Sequence, residues 1–149
     1  MKMSLLHPIL LVEDSPEDFE ITVRAFRKAD LTNPIFRCAD GDEALDFLHQ
    51  RGNYADAAKA PRPALILLDL NLPGTDGREV LAAIKKDEHL KDIPVIVLTT
   101  STEERDITSC YQDNVNCYIK KPVDMRTFHT IIQSVKDYWF ESVALPSPE

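Results

Sequence analysis

Short apolar segments alternate with longer amphipathic segments along most of the chain. The apolar segments are rich in branched aliphatic side chains, as strands covered on both faces are. They span residues 8–13, 34–38, 64–69, 94–99 and 117–120, and we predict them as strands β1 to β5. The other segments combine a charged face with apolar residues at helical spacing. They span residues 16–30, 41–51, 77–86, 103–113 and 124–138, and we predict them as helices α1 to α5.

The order of these elements predicts the fold. Five successive strand–helix units require a parallel sheet with right-handed crossovers and helices on both faces. We therefore expect an α/β fold, a doubly wound five-stranded parallel sheet. The length of 149 residues fits one domain. Residues 8–138 would form its core, and residues 139–149 an apolar C-terminal tail.

Local signals define several boundaries. Ser15, Pro16 and Asp18 fit the N-cap, N1 and N3 positions of α1. Thr102 before Glu103 is a second capping start, for α4. Residues 52–63 form a longer connection than compact α/β units need, so they are either an insertion or an extension of α2.

Composition and charge exclude several classes of function. No apolar run approaches the ~20 residues of a membrane span, so no membrane segment is predicted. The formal net charge is −8 and no basic run occurs, which argues against a nucleic-acid partner. Cys38, Cys110 and Cys117 are odd in number and contain no C-x-x-C pair. We therefore expect reduced thiols and a cytoplasmic location.

Polar residues stand at the ends of four predicted strands. Glu13 and Asp14 end β1, Asp69 ends β3, Thr99 ends β4 and Lys121 follows β5. In a doubly wound sheet, ligands bind outside the carboxyl ends of the strands. We therefore expect these five residues to converge at one edge of the sheet.

The chemistry of this edge suggests phosphoryl transfer. Three neighbouring carboxylates repel one another unless a cation compensates them, and Mg²⁺ prefers such oxygen ligands. Asp69 could then act as a nucleophile towards phosphorus. Lys121 and the Thr99 hydroxyl would stabilise the transferred phosphoryl oxygens. Lys120 competes with Lys121 for this role, and only the position before Pro122 favours Lys121.

Four motifs in register resemble a known family. They are LLVEDS at 10–15, LILLDLNLPGTDG at 65–77, VLTTS at 97–101 and YIKKP at 118–122. Together they resemble the receiver domain of two-component response regulators, the CheY-like family, over residues 8–138. More narrowly, the long α2–β3 loop and the string DLNLPGTDGREVLAAIK resemble regulators paired with bacterial phytochromes, notably cyanobacterial ones.

This resemblance implies a strand order of 2-1-3-4-5 and a role for each site residue. Asp69 resembles the phosphoacceptor, and Thr99 and Tyr118 resemble the switch residues. The implied Mg²⁺ ligands are Glu13, Asp14, Asp69 and the backbone carbonyl of Asn71. Lys121 resembles the phosphate-contacting lysine, whose bond to Pro122 is typically cis in the family.

The implied function is that of a phosphoacceptor response regulator. A sensor histidine kinase would donate the phosphoryl group, with a bacterial phytochrome as the candidate sensor. Output would pass through protein contacts, including a downstream phosphotransfer or receiver protein. The protein would not be an enzyme, apart from slow autodephosphorylation.

Three alternative functions fit the sequence less well. A haloacid-dehalogenase-type phosphatase would carry a second Asp where Asn71 stands. A flavodoxin-like carrier would need a hydroxyl- and Gly-rich loop after β1, where the chain has EDSPED. A phosphate-independent pseudo-receiver acting as a binding module is the strongest alternative, and the intact acidic pair, nucleophile, Thr and Lys argue against it.

The C-terminal region predicts an interface. A stripe with helical spacing should face the sheet, and it consists of Met125, Phe128, Ile132, Val135 and Trp139. The apolar residues left over are Tyr138, Phe140, Val143 and Leu145, which with Tyr111 on α4 could form an exposed patch. We expect a twofold homodimer through this patch. The alternative is that the tail folds back onto its own domain.

Overall fold

Five parallel strands form a single sheet in the computed structural model, which describes residues 7–146. The strands are β1 (Ile9–Val12), β2 (Ile35–Cys38), β3 (Leu65–Leu68), β4 (Val95–Thr99) and β5 (Cys117–Lys120). Their order is β2-β1-β3-β4-β5, and every neighbouring pair is parallel. The predicted fold class and the strand order implied by the resemblance are confirmed.

Five α-helices cover the two faces of the sheet. They are α1 (Pro16–Lys28), α2 (Gly41–His49), α3 (Gly77–Lys86), α4 (Glu104–Gln112) and α5 (Met125–Lys136). A short 3₁₀ helix, Gly52–Tyr54, follows α2, and a π-helical turn, Asp137–Ser142, continues α5. None of the helices in residues 7–146 is both long and apolar enough to cross a membrane.

Alternate residues of each central strand enter different hydrophobic clusters. Leu10 and Val12 pack with residues of α2 and α3, whereas Ile9 and Leu11 pack with residues of α1 and α5. This separation follows from the strand period of two residues, which directs successive side chains to opposite faces. Burial on both faces explains why β1 and β3 are apolar throughout and why β4 is apolar up to Thr99.

Helix starts agree with the sequence at α1 but not at α4. The Ser15 hydroxyl accepts a hydrogen bond from the Asp18 backbone N–H at 3.2 Å, so the predicted cap is confirmed. The prediction of Thr102 as a cap is wrong, because Glu103 occupies the N-cap of α4 and makes no side-chain cap bond. The Ser101 hydroxyl instead accepts the Glu103 backbone N–H at 3.4 Å.

The connection at residues 52–63 is an insertion and not an extension of α2. The helix ends because Gln50 adopts a left-handed conformation with φ of 53°. The Gln50 side chain then donates to the Ala60 carbonyl at 2.8 Å, and Arg62 donates to the His89 carbonyl at 2.5 Å. These bonds hold the insertion against its own domain.

The bond between Lys121 and Pro122 differs from the expectation. Residues 7–146 contain no cis peptide bond, so the cis prediction is wrong. A trans X-Pro bond is intrinsically favoured by about 0.5–1 kcal/mol. Lys121 reaches the carboxylates at the sheet edge with the bond in this form.

The C-terminal segment also departs from the prediction. Phe128, Ile132 and Val135 are buried as expected, but Met125 is 47% exposed. Phe140 packs against the cluster on the α1 and α5 face, so its predicted exposure is wrong. The π-helical turn continues the chain beyond Lys136, and the segment packs against its own domain. The last residues of the predicted tail, 147–149, lie outside the described range.

Candidate functional site

Three carboxylates meet at the carboxyl edge of the sheet. Oxygen atoms of Glu13, Asp14 and Asp69 all lie within 4.8 Å of one another. The pairing of β1 with β3 explains this, because Val12 and Leu68 are register partners and the acidic residues follow them directly. The Asp69 backbone N–H also donates to the Val12 carbonyl at 3.1 Å.

Lys121 supplies the positive charge at this edge. Its Nζ lies 2.5 Å from Glu13 Oε1, 3.3 Å from Asp69 Oδ2 and 3.5 Å from Asp18 Oδ2. Lys120, the competing lysine in the sequence, is exposed at the end of β5. We call Glu13, Asp14, Asp69 and Lys121 the acidic pocket.

Negative charge is in excess in the acidic pocket. Glu13 is 3% and Asp69 8% exposed, whereas Asp14 is exposed to solvent. Burial raises the pKa of the Glu13 carboxyl, although the hydrogen bond from Lys121 opposes the change. Burial works against the charge of Lys121, but the carboxylates around it, led by Glu13, raise its pKa. Clustered oxygen donors with surplus negative charge are ligands suited to a hard divalent cation.

The other predicted site residues lie beside the acidic pocket. The Asn71 backbone N–H donates to Asp69 Oδ1 at 3.2 Å. Thr99 is fully buried, and its hydroxyl accepts the Ser101 backbone N–H at 3.4 Å. The Tyr118 hydroxyl donates to the Ser101 carbonyl at 3.0 Å. Ser101 therefore joins both predicted switch residues.

Arg37 contacts the backbone of Glu13 and Asp14, a role that the sequence analysis did not predict. Its guanidinium donates to the carbonyls of Glu13 at 3.1 Å and Asp14 at 3.0 Å. It also lies 5.5 Å from the ring centroid of Phe19 on α1. These contacts fix the loop that carries two of the three carboxylates. An arginine within the apolar segment of β2 was the signal that could have revealed it.

A second charged cluster, which the sequence analysis did not predict, is hydrogen-bonded to Ser101. Arg78 on α3 forms two hydrogen bonds to Asp106 on α4, with distances of 2.7 and 2.8 Å. We call these two residues the arginine pair. The pair is separated by 28 positions in the chain, and no local sequence pattern connects the two residues.

The candidate interface residues fall into two groups. Tyr111 and Tyr138 are 50% and 58% exposed. Phe140 packs on its own domain, and Val143 is half-buried beside a cavity of about 260 Å³ that His7 and Asn33 also line. For Phe140, the structure therefore agrees with the alternative of a folded-back tail.

All three cysteines are free thiols. Cys38 and Cys110 are buried, and Cys117 is half-buried. Burial raises the pKa of Cys110 to about 11 and also raises that of Cys117. These thiols are therefore protonated near neutral pH and poorly nucleophilic.

Comparison with known proteins decides the family. The profile of the response regulator receiver domain matches residues 9–133. This chain belongs to the response regulator receiver family. Among its relatives, the response regulator Rcp1 of Synechocystis sp. is 44% identical over 139 residues, which cover 93% of this chain and 92% of Rcp1.

Two solved receivers have closely similar structures. The Mn²⁺-bound form of Rcp1 has a TM-score of 0.87 and 43% identity, covering 95% of this chain and 99% of that one. The phosphorylated cyanobacterial phytochrome response regulator RcpA has a TM-score of 0.88 and 44% identity, with the same coverage of both chains. The narrower resemblance to phytochrome-associated receivers is thereby confirmed.

Proposed function

We propose that this receiver accepts a phosphoryl group on Asp69 from a sensor histidine kinase, in a step that depends on Mg²⁺. The observation that carries the proposal is the contact of Lys121 with both Glu13 and Asp69 at the carboxyl edge. Asp69 is held within a cluster of oxygen ligands and beside a cation. That combination offers a nucleophile, a site for a metal and charge stabilisation in one place.

The donor set of the acidic pocket fits Mg²⁺. Glu13, Asp14 and Asp69 would hold the ion with the backbone carbonyl of Asn71. Mg²⁺ prefers a few carboxylate and carbonyl oxygens and keeps some of its waters. When bound, it would neutralise the developing charge on the transferring phosphoryl oxygens. The Mn²⁺-bound form of Rcp1 supports a divalent ion of this kind.

The chain's own groups would perform the remaining steps. An Asp69 carboxylate oxygen attacks phosphorus as the bond to the donor nitrogen breaks, leaving an acyl phosphate on Asp69. Lys121, now close to Asp69, would pair with a phosphoryl oxygen. The Thr99 hydroxyl would donate a hydrogen bond to another oxygen. The protein would not be an enzyme, apart from slow hydrolysis of its own acyl phosphate.

An apolar surface beside the acidic pocket suits a kinase partner. Val123 is fully exposed and Met125 is 47% exposed. Both line a cavity of about 330 Å³ that Asp18, Ile21 and Lys121 also line. A donor histidine approaching Asp69 would pass this surface. Because RcpA is a cyanobacterial phytochrome response regulator, a bacterial phytochrome is the proposed sensor.

Output would pass through protein contacts at the α4, β5 and α5 face. Tyr118 on β5 is hydrogen-bonded to Ser101 in the loop that follows Thr99, so a change at Thr99 would reach this face. A downstream phosphotransfer or receiver protein is the proposed target. The free cysteines support the expectation of a cytoplasmic location.

The same face would form a homodimer through the exposed rings of Tyr111 and Tyr138. Sedimentation of the wild type and of a Tyr111→Glu, Tyr138→Glu variant tests this interface. We expect a dimer for the wild type and a monomer for the variant. The same mass for both proteins would rule the interface out.

Phosphoryl transfer from an autophosphorylated bacterial phytochrome tests the proposed function. Loss of label from the kinase and its gain by the receiver are followed with Mg²⁺ and with a chelator. We expect transfer to the wild type only with Mg²⁺, and none to Asp69→Asn. Absence of transfer to the wild type, together with no reaction with a small phosphodonor, would favour the pseudo-receiver alternative.

A variant of the apolar surface distinguishes an effect on kinase docking from an effect on phosphoryl transfer itself. Val123→Asp should slow transfer from the kinase, because it places a charge on the apolar surface, but not the reaction with acetyl phosphate. Lys91 lies just before β4, at the opposite edge of the sheet, and Lys91→Ala is therefore the control. Equal transfer rates for the wild type and Val123→Asp would contradict the proposed docking surface.

A further inference from the structure

The arginine pair joins the loop after Asp69 to the helix that follows Thr99. Arg78 Nε and Nη2 each donate to one Asp106 carboxylate oxygen, in a two-point contact. Arg78 Nη1 also donates to Asp76, the N-cap residue of α3, at 3.0 Å. The guanidinium therefore ties α4 to the start of α3, directly beyond the β3–α3 loop.

Ser101 connects the arginine pair to the switch residues. Its hydroxyl donates to Asp106 Oδ2 at 2.6 Å, and its carbonyl accepts the Tyr118 hydroxyl at 3.0 Å. Its backbone N–H donates to the Thr99 hydroxyl at 3.4 Å. A single residue thus bonds to Asp106, Tyr118 and Thr99 at once.

Charge and burial make this network strong. Asp106 is 5% exposed and makes three hydrogen bonds, two of them from Arg78. The bonds from Arg78 and then Ser101 lower the pKa of Asp106, so its carboxylate stays ionised. Charge-assisted two-point bonds of this kind are stronger than neutral ones and fix geometry.

We propose that Arg78 and Asp106 are positioning residues that hold Ser101, and through it the Thr99 hydroxyl, in the resting position of the receiver. The pair sets how readily Thr99 engages a phosphoryl group on Asp69. This inference rests on the proposed function, because it requires Asp69 to carry that group.

The physical reason is competition for the β4–α4 loop. Thr99 can turn its hydroxyl to a phosphoryl oxygen only if the bond from the Ser101 N–H is lost or the loop moves with it. Movement of the loop stretches the bond of Ser101 to Asp106, which the arginine pair holds in place. A ligand that favours the moved loop must therefore overcome this bond, and weakening the pair raises the apparent affinity for that ligand.

Beryllium fluoride with Mg²⁺ is a suitable probe, because it binds a carboxylate as a stand-in for the phosphoryl group. Its affinity is measured by titration calorimetry on the full chain, for the wild type, Arg78→Lys and Asp106→Asn. We expect affinity about fivefold higher in both variants, within the usual range of coupling between sites. Arg78→Lys keeps the charge but loses the two-point contact.

Matched controls separate positioning from simple destabilisation. Glu103→Gln breaks an exposed ion pair with Arg105 at the start of α4. The affinity of this variant for beryllium fluoride should equal that of the wild type. Loss of stability alone cannot raise affinity, so an increase is specific to the proposed role. If Asp106→Asn does not fold, Arg78→Lys and Ser101→Ala decide, with the same expected increase.

Unchanged or weaker binding in the folded variants would overturn the inference. Failure of the wild type to bind beryllium fluoride with Mg²⁺ would instead count against the proposed function. Hydrogen exchange of residues 99–106 gives a second readout. We expect faster exchange there in Arg78→Lys than in the wild type, and exchange equal to that of the wild type would also contradict the proposal.

Discussion

The acidic pocket and the arginine pair are both charged clusters built around buried carboxylates, yet their charges are balanced differently. In the acidic pocket, Lys121 contacts two carboxylates, and a third lies within 4.8 Å of them. In the arginine pair, the Arg78 guanidinium makes two short hydrogen bonds to the buried Asp106 carboxylate, and it also contacts the partly exposed Asp76 at 3.0 Å. The pKa shifts differ accordingly, since burial raises the pKa of Glu13 and Arg78 lowers that of Asp106.

This difference separates a site that needs a ligand from one that is complete. Surplus buried negative charge is unfavourable unless a cation enters, so the acidic pocket is suited to bind and react. The Asp106 carboxylate, in contrast, already accepts three hydrogen bonds, so the arginine pair needs no further ion and serves to hold α3 and α4 together. The same residue types therefore perform different tasks because of their number and geometry.

Breaking the arginine pair should have the largest effect on stability. Asp106→Asn leaves Arg78 with only the partly exposed Asp76 as an ion-pair partner, and we expect the free energy of unfolding to fall by about 2 kcal/mol. Loss of one partner of a fully buried pair usually costs about 3–5 kcal/mol, and Arg78 is one-third exposed, which reduces the effect. Urea unfolding measures it.

The exposed pair of Arg24 and Glu20 provides the control for this prediction. Glu20→Gln should change the free energy of unfolding by less than about 0.5 kcal/mol, as is usual for surface pairs. Similar losses for Glu20→Gln and Asp106→Asn would show that the arginine pair has no special stabilising role.

Adding Mg²⁺ should raise the free energy of unfolding only where the acidic pocket is intact. At a concentration ten times the Kd, binding to the folded state adds about 1.4 kcal/mol to the free energy of unfolding. We expect this gain in the wild type and in Asp106→Asn, but not in Asp14→Asn, which lacks one ligand. The measurement is urea unfolding with and without Mg²⁺. An equal gain in Asp14→Asn would remove Asp14 from the metal site.

The dependence of stability on pH should differ in sign between the two clusters. The pKa of Asp106 is lower in the folded state, so its stabilisation is present above the ordinary value of 3.8 and is lost as the pH falls through the folded value. The loss is at most about 1.4 kcal/mol per pH unit. Asp106→Asn should therefore be less sensitive to acid than the wild type between pH 4 and pH 2, taken as about the range of the shift.

Glu13 should behave in the opposite way without metal. Its folded pKa is raised, so its contribution is present below the ordinary value of 4.5 and is lost as the pH rises through the folded value. Glu13→Gln should remove this loss. Urea unfolding in a pH series measures both effects, and the same pH profile for Glu13→Gln and the wild type would contradict the assigned direction.

Strand periodicity and strand ends were enough to predict the sheet and the acidic pocket. The apolar runs before Glu13 and Asp69 place these residues at one edge, because parallel strands end on the same side. Lys121 could be preferred over Lys120 only by its place before Pro122, and the structure agrees with that preference. The local sequence pattern was sufficient to predict residues that the parallel sheet itself brings together at the ends of its strands.

Contacts between helices could not be predicted in the same way. The arginine pair depends on how α3 and α4 pack, which periodicity does not specify. The position of Phe140 depends on a π-helical turn that no sequence pattern indicated. Thr102 is a good capping residue by type, but Glu103 occupies the N-cap of α4. The Ser101 hydroxyl accepts the backbone N–H of Glu103. These failures concern tertiary contacts that override local preferences.

Intact-mass measurement after incubation with acetyl phosphate and Mg²⁺ tests the central claim most directly. The wild type should gain the mass of one phosphoryl group, and a chelator should prevent the gain. Asp69→Asn, whose side chain has nearly the same shape but lacks the nucleophilic oxygen, should gain none. An undiminished gain in Asp69→Asn would contradict the assignment of Asp69 as the phosphoacceptor.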